Sequence, residues 1–145
     1  MTAIWQMSMR VRIMTIFVDT SALYALLDAD DANHQPAAAI WKTLLEDGAN
    51  LVTTNYVLVE TFALVQHRLG LEAVETLLAE VAPVLAVRWI DEATHHIAQA
   101  LLLAIQRRAV SLVDCSSFTV MRELGQVEAF TFDRHFVEQG FTLRQ

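Results

Sequence analysis

The sequence holds one cysteine, one lysine, four glycines and two prolines among its 145 residues, and each scarcity removes a class of protein. Cys115 can close no internal disulfide and supplies no thiolate set for zinc, which fits a reducing cytoplasm. Apolar runs break well short of the roughly 20 residues that a membrane-spanning helix needs. The run from Ile13 to Val18 is too short for a secretory core, and no small-residue cleavage site follows it. Neither GxGxxG nor GxxxxGK(S/T) occurs, so the usual dinucleotide and P-loop readings fall away. The Ser116-Ser117 pair lacks the GxSxG elbow of a serine hydrolase. Cations are few as well: Lys42 is the sole lysine, and ten Lys and Arg face 17 Asp and Glu for a formal charge of −7. A basic nucleic-acid-binding module needs clustered positive charge. That class is disfavoured, and an enzyme acting on nucleic acid would have to borrow positive charge.

What the sequence has in quantity is apolar side chains, at 54% of residues. That excludes disorder, and a single domain of this length buries roughly 70% of the surface its unfolded chain exposes. Few glycines and prolines imply short connections and many helices. Ile13–Val18 reads as a buried strand ended by Asp19-Thr20-Ser21, which caps a helix from Ala22 to Ala29. Asn33 caps a second helix, with Pro36 in its first turn, that runs to Gly48. Leu51–Thr53 is a short strand, Asn55 caps a helix ending at Gly70, and another helix spans Glu72–Val81. Pro83 starts a strand through Ile90. Asp91 and Glu92 open a helix to about Arg108, and Ser111 precedes a helix that carries Asp114 and stops at Gly125. Val127–Phe132 is the last strong strand, with Phe141–Arg144 as a short edge strand. Residues 1–13 read as an N-terminal extension and 14–145 as the domain. Strands alternating with helices imply an α/β fold around a parallel sheet. In such sheets function gathers beyond the carboxyl ends of the strands, and Asp19 and Asp133 fall at two such ends.

Four acids interrupt apolar surroundings: Asp19 in IFVDTSAL, Glu60 in TTNYVLVETFAL, Asp114 in SLVDCSSF and Asp133 in AFTFDRHF. Carboxylates rarely occupy such contexts unpaired, and the cations to pair them are lacking. Taken singly, Asp19, Asp114 and Asp133 can each be a helix cap and nothing more. Glu60 is harder to dismiss, because it lies more than a turn inside a helix flanked by Val57, Leu58, Val59, Phe62 and Ala63. If the four converge, each close pair repels by roughly 4 kcal/mol at an effective dielectric near 20. A divalent cation is the simplest remedy, and hard oxygen ligands suit Mg²⁺ or Mn²⁺.

The same segments, VDTSALYALLD, TTNYVLVETFALVQHRLG, SLVDCSSFTVMRELG and AFTFDRHF, resemble the PIN-domain ribonucleases in order and position, and among them the VapC-like toxins of prokaryotic type II toxin-antitoxin pairs. The resemblance spans about Met14 to Phe141. It implies a PIN-like fold, with a central parallel β-sheet of four to five strands flanked by helices. It implies that Asp19, Glu60, Asp114 and Asp133 hold one or two Mg²⁺ or Mn²⁺ ions that activate water, so that RNA is cut to 5′-phosphate and 3′-hydroxyl ends. Thr20 and Thr131 stand beside acids and can orient a carboxylate or water, and Ser117 matches a serine that sequences of this type carry after the third acid. A homodimer and a cognate antitoxin are implied as partners.

Arg68, Arg107, Arg108, Arg122 and Arg134 are candidate contacts to the RNA backbone, with Arg68, Arg122 and Arg134 singled out, since nine of the ten cations are arginine and its fork suits phosphate. The acidic group Asp28, Asp30 and Asp31 reads as a solvated loop. His95 and His96 are adjacent and face different sides of a helix, while His34 and His135 flank the expected mouth, placed to touch substrate, although a surface histidine is the default reading. The helical hairpin from Asn55 to Val81 has more apolar positions than one stripe needs, so it offers a dimer face or a groove for a partner helix. Two rival readings remain: a non-catalytic interaction domain whose acidic pocket binds a basic peptide, and a metal-dependent phosphatase.

Overall fold

Ile16, Phe17 and Val18 are completely buried, as a β-branched and aromatic run in the middle of a parallel sheet should be. They belong to β1 (Thr15–Val18), the central strand of the computed structural model, which describes residues 13–125 and 127–145. All but the last residue of the expected N-terminal extension lies outside the described residues. From β1 the chain continues through α1 (Thr20–Leu27), α2 (His34–Glu46), β2 (Asn50–Thr54), α3 (Asn55–Leu69) and α4 (Leu71–Thr76). A π-helical turn (Leu77–Val81) and a 3₁₀ turn (Ala82–Val84) lead to β3 (Ala86–Arg88). Then follow α5 (Glu92–Ile105), α6 (Leu112–Leu124), β4 (Glu128–Phe130), α7 (His135–Glu138) and β5 (Thr142–Leu143).

Every strand pairing is parallel, and the order is β3-β2-β1-β4-β5. The chain therefore winds outward from β1 through β2 to β3, then returns to the other side of β1 for β4 and β5. The reversal falls between β1 and β4, where the chain ends of two neighbouring strands diverge and leave a crevice. The ladder runs one residue past β1, because the Asp19 N–H donates to Phe130 O at 3.1 Å.

Glycine closes the helices as the sequence suggests. At Gly70, φ is +94° and the N–H bonds back to Val65 O and Gln66 O, a left-sided turn that joins α3 to α4 within a single residue. Several boundaries differ from expectation. The helix expected to reach Arg108 stops at Ile105, because Gln106 adopts the left-handed region (φ +58°) and turns its N–H to Leu102 O. The strand expected over Pro83–Ile90 shrinks to Ala86–Arg88: Pro83 lacks an N–H for the ladder and lies in the 3₁₀ turn instead. The helix over Glu72–Val81 changes to π-helix at Leu77. Val127–Phe132 pairs only over Glu128–Phe130, since Phe132 N bonds the Ser21 hydroxyl rather than a neighbouring strand. Thr54, not Asn55, caps α3, its hydroxyl accepting from Val57 N at 3.1 Å. Asn33 occupies the cap position of α2 without a side-chain bond.

The core under β4 is aromatic. Phe118 of α6 meets Phe136 of α7 edge-on at 5.0 Å and stacks on Phe141 at 5.9 Å, with Phe118 and Phe136 wholly buried. This cluster anchors the four-residue α7, which is too short to be stable alone. Phe118→Ala is expected to lower the free energy of urea unfolding by about 3–5 kcal/mol, whereas Val137→Ala on the exposed side of the same helix should change it by under about 0.5 kcal/mol. Similar losses for the two variants would contradict this placement of the core.

Candidate functional site

Asp19 follows β1 directly and is 5% exposed. Its extended backbone makes it the cap of α1, with the carbonyl accepting from Ala22 N and Leu23 N. The side chain does more than cap. Oδ2 accepts from the Thr131 hydroxyl at 2.9 Å and the Ser21 hydroxyl at 3.0 Å, while the Ser21 N–H lies at a long 3.5 Å. Thr131 comes from the far end of β4, so one carboxylate oxygen fastens the two strands that diverge at the reversal. Burial raises the Asp19 pKa from 3.8 to about 6; the Thr131 bond opposes the rise and Asp114 adds to it.

Glu60 reaches the same place from α3. Two buried threonines set that helix against α1: the Thr61 hydroxyl donates to Val57 O at 2.7 Å and lies 3.2 Å from the Thr20 hydroxyl. Asp19 and Glu60 are the immediate neighbours of these threonines, so the bond that joins the helices also brings the acids together. The Glu60 carboxyl is pushed upward by burial first and by Asp114 and Asp133 besides, with the Thr20 hydroxyl holding it down.

Asp114 occupies the third position of α6 in a reciprocal cap. Its Oδ2 accepts from Ser111 N at 2.9 Å, and its own N–H donates to the Ser111 hydroxyl at 3.1 Å. Burial again raises its pKa first; the Ser111 bond opposes this, and Asp133 adds to it. Asp133 stands in the loop three residues past the end of β4. Its N–H donates to the Thr131 hydroxyl at 3.0 Å, and its Oδ1 accepts from His135 N at 2.9 Å. Thr131 thus binds both Asp19 and Asp133 through one hydroxyl.

All four acids line one cavity of about 430 Å³, with Thr20, Ser21, Tyr24, Asn33, Arg68 and Ser111 among its walls. Three carboxyls displaced upward by burial and mutual repulsion, facing one arginine, form a donor set short of positive charge. Arg68 lies at the rim over the Tyr24 ring, 5.4 Å from its centroid. Oxygen donors crowded without balancing cations suit a hard divalent ion, so the residues present fit one. Ligand atoms of Asp114, Asp133 and His135 lie within 4.8 Å of one another.

The other sequence candidates are spread more widely. Ser117 is fully buried in α6, and its hydroxyl has no partner among the described residues. Arg122 stands apart from the acids: it donates to Gln139 Oε1 at 3.0 Å and packs over Phe141. Arg134 lines a separate cleft with Phe132, Ile40 and Pro36. Asp31 joins the cavity wall, although its loop reads as solvated. Sequence reasoning missed Ser21, Thr61 and His135. The first two are hydroxyls adjoining a named acid or its partner. His135 sits two residues after Asp133, the offset at which an Asp side chain bonds the next-but-one N–H and folds that residue back beside it.

A family model described as PIN domain matches residues 16–141. Two curated relatives, both named 23S rRNA-specific endonuclease VapC20 and from two strains of Mycobacterium tuberculosis, are each 35% identical over 127 residues, 87% of this chain and 95% of the relative. Among solved structures, Mycobacterium tuberculosis VapC20, described as a Sarcin-Ricin loop cleaving toxin, superposes with a TM-score of 0.78 at 34% identity, covering 88% of this chain and 96% of that one. FitAcB from Neisseria gonorrhoeae superposes with a TM-score of 0.66 at 16% identity, covering 90% and 96%, a likeness of fold alone.

The upward shift of Asp19 sets the sign of a pH effect. In chelator, the unfolded chain ionises this group near 3.8 and the folded chain near 6, so stability present below pH 4 is lost as pH rises toward 7, by about 3 kcal/mol. Glu60 and Asp114 shift the same way. Asp19→Asn cannot ionise. Its stability relative to wild type, from urea unfolding in EDTA, should rise by about that amount between pH 4 and pH 7.5; a constant difference would contradict the burial assigned to Asp19.

Proposed function

This chain belongs to the PIN domain family, and from that premise we propose that it is a divalent-metal-dependent endoribonuclease, the toxin of a toxin-antitoxin pair, acting on large-subunit ribosomal RNA. The observation that carries the reading is the convergence of Asp19, Glu60, Asp114 and Asp133 on one cavity at the reversal of strand order. The choice of RNA rests on the similarity to VapC20 across most of both chains.

Asp19, Glu60, Asp114 and Asp133 would hold Mg²⁺ or Mn²⁺. When bound, such an ion acidifies a water and offsets charge on the phosphoryl oxygens. The chain supplies the positioning. Ser21 and Thr131 fix Asp19 through Oδ2, Ser111 fixes Asp114, and Thr20 with Thr61 fixes the helix that presents Glu60. Donors held in place before substrate arrives need no reorganisation during reaction. Arg68 at the rim is placed for a flanking phosphate, and Arg134, exposed just beyond Asp133, for another.

The proposed homodimer draws support from apolar side chains left exposed on the α3 to π-turn hairpin, Val59 at 70%, Leu71 at 66% and Leu78 at 55%. Light scattering on a sizing column at tens of micromolar should give twice 16.3 kDa; a monomer sinks the dimer.

With purified large-subunit rRNA and Mn²⁺, the wild type should cut at discrete positions and leave 5′-phosphate and 3′-hydroxyl ends, mapped by primer extension. Asp19→Asn and Asp114→Asn should each lose at least about 100-fold in rate. Equal cleavage by the variants marks contamination and ends the nuclease reading. Turnover of small phosphate esters without RNA cleavage points to a phosphatase.

A further inference from the structure

His135 enters the acid cluster through its own backbone. The Asp133 carboxylate accepts from His135 N at 2.9 Å, which turns the first residue of α7 back over the loop. Phe136, the next residue, is wholly buried against Phe118. The helix cannot roll without pulling Phe136 from the core, so the imidazole is held where it is. Its Nδ1 stands 2.7 Å from Asp133 Oδ1. Yet Nδ1 is buried and makes no hydrogen bond among the described residues.

That combination leaves the pair without an aligned hydrogen bond in either tautomer. With a lone pair on Nδ1, two electron-rich atoms face each other at close range; with a proton there, it points out of line with its neighbour. A cation shared by the two atoms would relieve this mismatch, and a ligand atom of Asp114 lies within 4.8 Å of both.

We infer that His135 is a third cation ligand beside Asp114 and Asp133, and that its nitrogen makes this end of the site select Mn²⁺ over Mg²⁺. The inference rests on the reading of the acids as a divalent-ion site and adds the donor that sets its preference. Imidazole suits first-row transition ions, whereas Mg²⁺ takes oxygen and keeps its waters. Asp19 and Glu60 contribute oxygen alone, so any selectivity enters through His135.

The test measures binding, not turnover. Mn²⁺ is titrated into metal-free protein by electron paramagnetic resonance, Mg²⁺ is then used to compete, and the Mn²⁺-loaded wild type is examined for electron spin echo modulation by ¹⁴N. A directly bound imidazole gives that modulation. His135→Gln, which retains a polar group toward Asp133, should abolish the ¹⁴N signal and weaken Mn²⁺ by at least about tenfold. Its Mg²⁺ affinity should change by less than about threefold.

Absence of ¹⁴N modulation in the wild type overturns the inference without recourse to any variant, as does failure to bind Mn²⁺. Equal weakening of both ions in His135→Gln also overturns it, because a histidine that merely pairs with Asp133 would act on the two alike. The RNA assay stands apart from these outcomes: cleavage without ¹⁴N modulation removes the ligand and leaves the nuclease, while ¹⁴N modulation without cleavage does the reverse.

Discussion

Four carboxylates held close together, with a single arginine at their rim, are the constraint around which the sheet is arranged. Like charges lining one cavity separate unless the chain prevents it. Here the restraints are short and local: a hydroxyl from β4 on Asp19, a reciprocal cap on Asp114, an Asp turn at Asp133 and a threonine pair beneath Glu60. Each acid comes from a different segment, so opening the cluster requires moving a strand end or a helix, and those are tied to the core by Phe17, Val57 and Phe118, none of them exposed. Packing supplies the force that electrostatics opposes.

Thr131 concentrates this opposition. Its one hydroxyl donates to Asp19 Oδ2, accepts from the Asp133 N–H and lies 3.0 Å from the Ser21 hydroxyl, so segments 19–21 and 131–133 meet at a side chain that is 3% exposed. A hydroxyl can do this because it donates once and accepts twice. Valine would fill the same volume and join none of them. Thr131 stands one residue past a correspondingly short strand: β4 leaves the ladder after Phe130, where side-chain bonds to Ser21 take over from backbone pairing.

The acids were legible in the sequence because burial of a carboxylate violates composition rules, and a violation is visible without coordinates. The strand order was not, since nothing local distinguishes a return to the far side of β1 from a further step outward. The elements read best where one residue decides them, as at Gly70 and Ser111. They read worst where competition decides them. Pro83 reads as opening a strand, yet it sits inside a 3₁₀ turn that directly continues the π turn before it. His135 was read as a surface residue for a related reason. Asp133 and Arg134 precede it, and only the turn at Asp133, fixed by the buried Phe136, carries it inward.

The formal charge of −7 takes on a different meaning once the cations are located. Arg88, Arg107 and Arg144 are paired with Glu123, Glu138 and Glu128, and Arg122 is engaged with Gln139 and Phe141. Among the described residues, Arg68, Arg108 and Arg134 make no ion pair, and of these Arg68 alone lines the acid cavity. Nucleic-acid affinity from counterion release scales with the number of phosphates neutralised, so three arginines supply little of it. For an RNA substrate, the folded shape that fits the crevice must then supply the selectivity, with bound cations completing the local field. On the proposed reading, such a chain would discriminate by withholding general attraction: among the described residues, RNA that cannot seat its phosphate on cations held by the four carboxylates meets few free arginines elsewhere.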